Sequence, residues 1–198
     1  DNRDSFTWNL AHDLERAGAK VVVRQAAECR LEDADGMAGI VLSPGPGLPS
    51  ESEGLMSLVA SWAPRNPMLG VCLGLQALVE WSGGRLRQLE AVRHGVSSEA
   101  RRLVSDPMLA DIGDRFDVGH YHSWVVAEDS LPKEVHVNAR NSEGLPMAFC
   151  HETLPVAGVQ FHPESVLTPQ GRQLLQGWCE AAQRCLAISA SNVSLNFS

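Results

Sequence analysis

Long apolar runs are missing from this sequence. Although 44% of its 198 residues are hydrophobic, no stretch approaches the roughly 18–20 apolar residues that a membrane-spanning helix needs. The chain does not start with the basic-then-apolar pattern of a secretory leader. We therefore expect no membrane association, and the length suits a single domain with a sizeable core.

Positive charge is also scarce. Lys and Arg number 16 against 24 Asp and Glu, which gives a formal net charge of −8. Nucleic-acid binding depends on a basic stripe that neutralises phosphates, and no run of Lys or Arg could form one. We therefore expect no nucleic-acid partner.

The cysteines form no recognisable framework. The chain has five of them, namely Cys29, Cys72, Cys150, Cys179 and Cys185. Their number is odd, and their spacing matches neither a zinc pattern nor a disulfide scaffold. The simplest interpretation is a cytoplasmic protein with reduced thiols.

Short apolar runs alternate with helical patterns in the first half of the chain. Strands are predicted at residues 20–24, 39–43 and 68–71. Helices are predicted by apolar residues at helical spacing, at residues 6–17, 53–62, 73–81 and after 168–169. This alternation predicts an α/β fold with a mostly parallel open sheet flanked by helices.

The pattern changes to shorter strand-like runs between residues 85 and 161. The strand candidates are residues 85–89, 116–118, 125–127, 134–139, 147–151 and 157–161. These runs are separated by turns rather than by helices, so we expect a small antiparallel extension of the sheet.

The segment Gly70-Val71-Cys72-Leu73-Gly74-Leu75-Gln76 carries the clearest chemical signal. An apolar strand enters it and an amphipathic helix leaves it, so the central residue is held in a sharp elbow above the sheet. The flanking glycines relieve crowding, and the helix N-terminus favours a thiolate. We interpret Cys72 as a nucleophile and the other cysteines as ordinary small apolar side chains.

A thiol nucleophile usually works with a histidine that a third group orients. Of the seven histidines, His162 is the best placed, because it follows an apolar strand and precedes a proline. Glu164 lies two residues further on and can bend back to hold the imidazole. We therefore predict that His162 is the base and Glu164 its orienting partner.

His120 and His122 offer a different site. Alternate residues of a strand share a face, and a His-x-His pair occurs in metal sites. The sequence shows no obvious third ligand, so we expect no metal on this chain.

Three motifs together resemble the class I (triad-type) glutamine amidotransferase family. They are Ser43-Pro44-Gly45-Pro46-Gly47, the Cys72 segment, and Phe161-His162-Pro163-Glu164-Ser165. The opening residues 1–9 (Asp-Asn-Arg-Asp-Ser-Phe-Thr-Trp-Asn) and Tyr121-His122-Ser123 are similar to the branch that serves chorismate enzymes. That branch comprises anthranilate synthase component II and the aminodeoxychorismate (para-aminobenzoate) synthase glutaminase.

The resemblance implies a glutaminase mechanism. Cys72 would attack the side-chain amide of glutamine, and His162, held by Glu164, would carry the proton to the leaving ammonia. The oxyanion would lie between the backbone N–H groups of Leu73 and Gly45.

The resemblance also implies the substrate site and the partner. Glutamine would be held by Pro44, Gly45, Gln76, Ser123 and Trp124. The ammonia would pass to a chorismate-binding synthase subunit. No cofactor is expected on this chain, since Mg²⁺ would belong to the partner synthase. Whether the product is anthranilate or aminodeoxychorismate depends on that partner.

The sequence departs from the family pattern in three places. Leu75, within the elbow, stands where many members have His. Val96 stands where the family usually has Lys near the partner interface, after Arg93-His94-Gly95. The family also has an apolar strand before the Asp-Asn-x-Asp-Ser motif, whereas this chain begins at that motif; without the strand, two strand edges would be exposed.

We expect an amidotransferase domain at residues 1–185 and a disordered tail at residues 186–198. Val193, Leu195 and Phe197 alternate at strand period, so the tail could instead replace the family's first strand.

Three other functions stay open at this stage. The chain could be another triad amidotransferase, such as one for guanylate or carbamoyl phosphate synthesis. It could be a cysteine hydrolase of γ-glutamyl chains, which should work without a partner. It could also be a non-catalytic binding module, although such a module would be expected to lose a triad residue.

Overall fold

Seven strands and four α-helices make up the part of the chain that the structure describes. The computed structural model describes the backbone of residues 1–194 and the side chains of residues 1–187. The helices are α1 (Thr7–Arg16), α2 (Leu55–Trp62), α3 (Leu73–Trp81) and α4 (Gly171–Ser194). The strands are β1 (Ile40–Leu42), β2 (Met68–Val71), β3 (Arg85–Arg102), β4 (Arg115–Ala127), β5 (Val135–Asn141), β6 (Pro146–His151) and β7 (Val156–Val159).

The strands form one mixed sheet in the order β1-β2-β7-β6-β5-β3-β4. The pairs β1–β2 and β2–β7 are parallel. The other four pairs are antiparallel. The predicted α/β fold is therefore confirmed, and its antiparallel part is larger than the sequence suggested.

The antiparallel part is larger because β3 and β4 are long. The predicted strand at residues 85–89 continues to Arg102, and the predicted strands at residues 116–118 and 125–127 are the two ends of β4. The middle of β3 faces solvent on most positions, so it lacks the apolar alternation that would reveal a strand. Register shifts between Gln88 and Val96 keep the two strands paired along this length.

The predicted strand at residues 20–24 is wrong. This segment has no strand hydrogen bonding in the structure, and Val22 is 61% exposed. A hydrogen bond ties this segment to the first residue instead, because the Asp1 ammonium donates to the Arg24 carbonyl at 2.7 Å. A groove of about 470 Å³ is lined by this segment and by β1. An apolar run becomes a strand only when a neighbouring backbone completes its hydrogen bonds.

Helices cover both faces of the parallel part. Side chains of α1 and α4, including Leu10, Leu14 and Leu174, pack in one cluster with Val71 of β2. Side chains of α2 and α3 pack in a second cluster with Met68, also of β2. Successive residues of a strand point to opposite faces, so β2 is buried on both sides and its carboxyl end is held firmly.

The end of the chain differs from expectation. The sequence predicts a disordered tail from residue 186, whereas α4 runs Gly171–Ser194. Residue 193 belongs to that helix, and Leu195 and Phe197 lie outside the described residues. Among the residues that are described, no helix combines the length and apolar character needed to cross a membrane.

Candidate active site

Cys72 occupies the turn between β2 and α3. Its backbone has φ 52° and ψ −103°, a sparsely populated conformation with positive φ that costs a non-glycine residue about 1–3 kcal/mol. Both flanking glycines are required by close contacts. A Cβ on Gly70 would overlap the backbone of Gly74 and Leu75, and a Cβ on Gly74 would overlap the Leu42 carbonyl. The predicted elbow is therefore present, with Cys72 only 5% exposed.

The elbow lies beside the end of β7. The N–H of Cys72 donates to the Val159 carbonyl at 2.8 Å, which extends the parallel pairing of β2 with β7. Residues that follow Val159 therefore leave the sheet next to the sulfur. Leu73 is the first residue of α3, so its N–H is among those with no partner inside the helix.

His162 and Glu164 form a buried pair. The Nδ1 atom of His162 lies 2.7 Å from Oε1 of Glu164, and the two side chains are 2% and 0% exposed. A carboxylate can only accept a hydrogen bond, so Nδ1 carries the proton. This contact leaves Nε2 as the ring atom available to Cys72.

The interaction with Cys72 shows in the pKa of His162. Burial lowers this pKa, but hydrogen bonding and charge from Cys72 and Glu164 outweigh burial and raise it to about 10. Nε2 has no hydrogen bond of regular geometry to any described residue. The sulfur is thus close enough to stabilise an imidazolium without forming a fully aligned bond, as is common in unliganded catalytic sites.

Two aromatic rings hold the imidazole from the sides. The ring centroids of Phe6 and Tyr121 lie 5.1 and 5.0 Å from that of His162, and 4.9 Å from each other. Tyr121 also contacts Ser165 through its hydroxyl, at 3.1 Å. The imidazole is therefore fixed by packing as well as by Glu164.

The loop at residues 43–47 lies against the start of α3. A Cβ on Gly45 would overlap the side chains of Leu73 and Asn2, so Gly45 packs against the first side chain of α3. Asn2 ties the loop down, because its N–H donates to Ser43 Oγ and its side-chain amide to the Ser43 carbonyl, both at 2.8 Å. Pro44 is buried. The loop that carries Gly45 is thus held in place beside the first residue of α3.

Gln76 is linked to β4 and to the end of β7. Its Nε2 donates to the Trp124 carbonyl at 3.0 Å and to Gln160 Oε1 at 3.3 Å. A side-chain amide has two N–H groups, so both donors are used within the protein. Gln76 can therefore offer a substrate only its oxygen. Ser123, next to Trp124 on β4, is partly exposed.

The rings of His120 and His122 are hydrogen-bonded to each other, and the second nitrogen of His120 contacts a serine rather than a possible metal ligand. Nδ1 of His120 lies 3.2 Å from Nε2 of His122, and Nε2 of His120 lies 2.7 Å from Ser98 Oγ. Burial, the main cause, and nearby positive charge lower the pKa of His120 to about 4 and that of His122 to about 3. In the described part of the chain, no three His, Cys, Asp or Glu side chains group in a way that could hold a metal ion.

Sequence reasoning missed two residues of this site. Asn2 belongs to the Asp-Asn-Arg-Asp-Ser motif, but its local pattern does not reveal that it braces a loop 41 residues away. Gln160 donates to the Cys72 sulfur at 3.7 Å. Its one local signal is a polar residue at a strand end, two positions before His162.

The chain belongs to the class-I glutamine amidotransferase family. The model of that family matches residues 1–181, which include the Cys72 elbow, the loop at residues 43–47 and the His162–Glu164 pair. The resemblance drawn from the three motifs is thereby confirmed at the level of the family.

Named relatives fall into both groups of the chorismate branch. The chain is 39% identical to an aminodeoxychorismate synthase component 2 from Klebsiella aerogenes, over 88% of this chain and 94% of that protein. It is 39% identical to an anthranilate synthase component 2 from Mycobacterium tuberculosis, over 90% and 78%. It is 40% identical to an anthranilate synthase component 2 from Haemophilus influenzae, over 89% and 92%.

A solved structure shares the fold. A Thermoplasma acidophilum protein, described as part of a GMP synthase, superimposes with a TM-score of 0.86, covering 96% of this chain and 94% of that one. Its sequence identity is 21%, so this likeness supports the fold alone.

Proposed function

We propose that this chain hydrolyses glutamine to glutamate and ammonia and delivers the ammonia to a chorismate-using synthase, either anthranilate synthase or aminodeoxychorismate synthase. The observation that supports this most directly is the convergence of Cys72, His162 and Glu164 at adjacent strand ends. Relatives at 39–40% identity carry the names of both synthases' second components. Those names favour the chorismate branch without separating its two products.

The first step uses the sulfur and the imidazole. The Cys72 thiolate attacks the side-chain carbonyl carbon of glutamine, and the carbonyl oxygen takes the negative charge. The N–H groups of Leu73 and Gly45 stabilise that oxyanion; removal of one such donor typically lowers the rate by about 10²–10³. His162 then gives its Nε2 proton to the nitrogen, the carbon–nitrogen bond breaks, and ammonia leaves.

The second step regenerates the thiolate. Water gives a proton to His162 and attacks the γ-glutamyl thioester, and the carbon–sulfur bond breaks to release glutamate. Glu164 keeps the imidazole in the correct tautomer through both proton transfers. Pro44, Ser123, Trp124 and the Gln76 oxygen would hold the glutamine. These steps use only side chains and backbone of this chain, and Mg²⁺ would be needed by the partner synthase.

Contact with the partner is proposed at the surface near Arg93. The Arg93 guanidinium pairs with Glu143, with one N–O distance of 2.7 Å, so its charge is already matched within this chain. Val96 is 45% exposed and offers no charge where the family usually has Lys. We therefore expect any contact at this strand to be more apolar than in the family pattern.

A Cys72→Ser variant tests the proposal. With a chorismate-using synthase supplied, it should lose glutamine-dependent product formation and keep formation from added ammonium, because only ammonia production needs the sulfur. Cys29→Ser serves as the matched control, since Cys29 lies outside the site, and it should keep both activities. Equal loss of both by Cys72→Ser would contradict the division of labour, and full glutaminase activity without any synthase would favour the γ-glutamyl hydrolase alternative.

A further inference from the structure

Gln160 lies between the nucleophile and Gln76. It is 0% exposed, and Gln76 is 2% exposed. Gln160 Nε2 donates to Cys72 Sγ at 3.7 Å, and Gln160 Oε1 accepts from Gln76 Nε2 at 3.3 Å. A chain of hydrogen bonds therefore runs from the Trp124 carbonyl through two side-chain amides to the sulfur.

The direction of each bond in this chain is fixed. A backbone carbonyl can only accept, so the Trp124 carbonyl requires the nitrogen of Gln76 on its side. That nitrogen also faces Gln160, which therefore presents its oxygen to Gln76. The nitrogen of Gln160 is then left pointing at the sulfur. The orientation of Gln160 follows from a backbone group rather than from a choice between amide flips.

A fixed N–H donor favours the charged form of the sulfur. Hydrogen bonds to an ionised group are stronger than those to a neutral one, and the thiolate is the reacting form of cysteine. Both amides are buried, so water does not compete for the donor. His162 stabilises the thiolate with a charge, whereas Gln160 does so with a donor that takes no part in proton transfer.

We propose that Gln160 is a further catalytic residue, which holds and stabilises the Cys72 thiolate through its side-chain amide, and that Gln76 is the positioning residue that aims this amide. This inference rests on the glutaminase site proposed above. It also gives the two donors of Gln76 a role other than substrate binding.

The test measures thiolate formation directly. The rate at which iodoacetamide alkylates Cys72 is followed against pH by site-resolved mass spectrometry, with the other cysteines as internal references. A lost hydrogen bond to a charged group changes an equilibrium by roughly 10- to 100-fold. Gln160→Met should therefore raise the pH midpoint for Cys72 by about one unit or more and lower kcat/KM for glutamine by about tenfold or more.

Two further variants separate the roles. Gln160→Glu keeps an oxygen for Gln76 and replaces the donor with a second oxygen, so it should raise the midpoint further than Gln160→Met. Gln76→Met leaves the Gln160 amide in place but free to turn, so it should give a smaller rise. Gln173→Met, on the exposed face of α4, is the matched control and should leave the midpoint unchanged.

An unchanged Cys72 midpoint in folded Gln160→Met and Gln160→Glu would overturn the inference. If Gln160 variants do not fold, an unchanged midpoint in Gln76→Met would overturn it instead. Because alkylation needs no turnover, the two proposals fail separately. Raised midpoints in a protein that never hydrolyses glutamine would support Gln160 and contradict the glutaminase. Normal glutaminase activity with unchanged midpoints would contradict Gln160 alone.

Discussion

Replacing Glu164 with Gln removes one negative charge from the site with almost no change of shape. The contacts of Glu164 indicate how the Gln side chain would be oriented in the variant. Glu164 Oε1 contacts His162, whereas its buried Oε2 has no hydrogen-bond partner among the described residues. A Gln side chain can therefore keep its oxygen on Nδ1 and place its amide nitrogen at the Oε2 position. The tautomer of His162 is then preserved, and only the stabilisation of the imidazolium is weakened.

The magnitude follows from the nature of that contact. A hydrogen bond to a charged group contributes about 1.5–3 kcal/mol, and one pKa unit corresponds to about 1.4 kcal/mol. The pKa of His162, raised to about 10 in the native protein, should therefore fall by about one to two units. We expect the alkaline limb of the glutaminase pH profile to move down by the same amount, so that kcat/KM falls by about 10- to 100-fold well above pH 10 and by no more than about twofold at pH 8.

The pH dependence of the unfolding free energy gives a second measurement, and the raised pKa of His162 determines its direction. A histidine whose pKa is raised on folding contributes stability that is fully present below about pH 6.5 and is lost as the pH rises through about 10. The difference in unfolding free energy between native protein and Glu164→Gln should thus stay constant below about pH 8, decline above it and vanish well above pH 10. Glu152→Gln, far more exposed, is the control. An alkaline limb that stays in place in folded Glu164→Gln would refute the role assigned to this carboxylate.

The remaining predictions concern strain and acid sensitivity. Cys72→Gly should be more stable to urea than Cys72→Ala by about 1 kcal/mol, because only glycine adopts φ 52° without strain; equal stabilities would show that the elbow is relaxed. The lowered pKa of His122, about 3, means that the unfolded chain binds more protons below about pH 6.5, so stability falls as the pH drops from there towards 3. His122→Gln should lose about 1–2 kcal/mol less than the native protein between pH 7 and 5, measured by urea unfolding, with the exposed His12→Gln as the control variant.

The sequence predicts those parts of the fold whose signal is local. The strand at residues 68–71 and the helix at residues 73–81 are confirmed to the residue, because a buried apolar run and a following amphipathic pattern determine them. The failure at residues 20–24 has the opposite cause, since residues 21–23 carry a strand pattern but no neighbour among the described residues completes their hydrogen bonds. The long strand β3 was missed beyond residue 89, because most of its positions face solvent and the apolar alternation is lost.

In the candidate site, too, the sequence predicts the local features and not the long-range contacts. The glycines around Cys72 indicate an elbow because a tight turn leaves no room for side chains at these positions. The bond from Gln160 to the sulfur spans 88 residues, and nothing in a polar residue at a strand end identifies the side chain it will meet. That contact depends on β7 pairing with β2 rather than with some other strand, and strand order is a property of the whole sheet.

The β2–β7 pairing therefore carries more of the chemistry than any single motif. Val71 lies opposite Val159 in parallel register. The two strands therefore end at the same level of the sheet, β2 leading into Cys72 and β7 into Gln160. A shift of one residue would turn every side chain of β7 to the other face and would carry Gln160 and His162 away from the sulfur. The register is held from within, because a Cβ on Gly158 would overlap the Leu75 side chain. Close packing of glycines under the elbow thus fixes the distance at which a sulfur, an amide and an imidazole can act together.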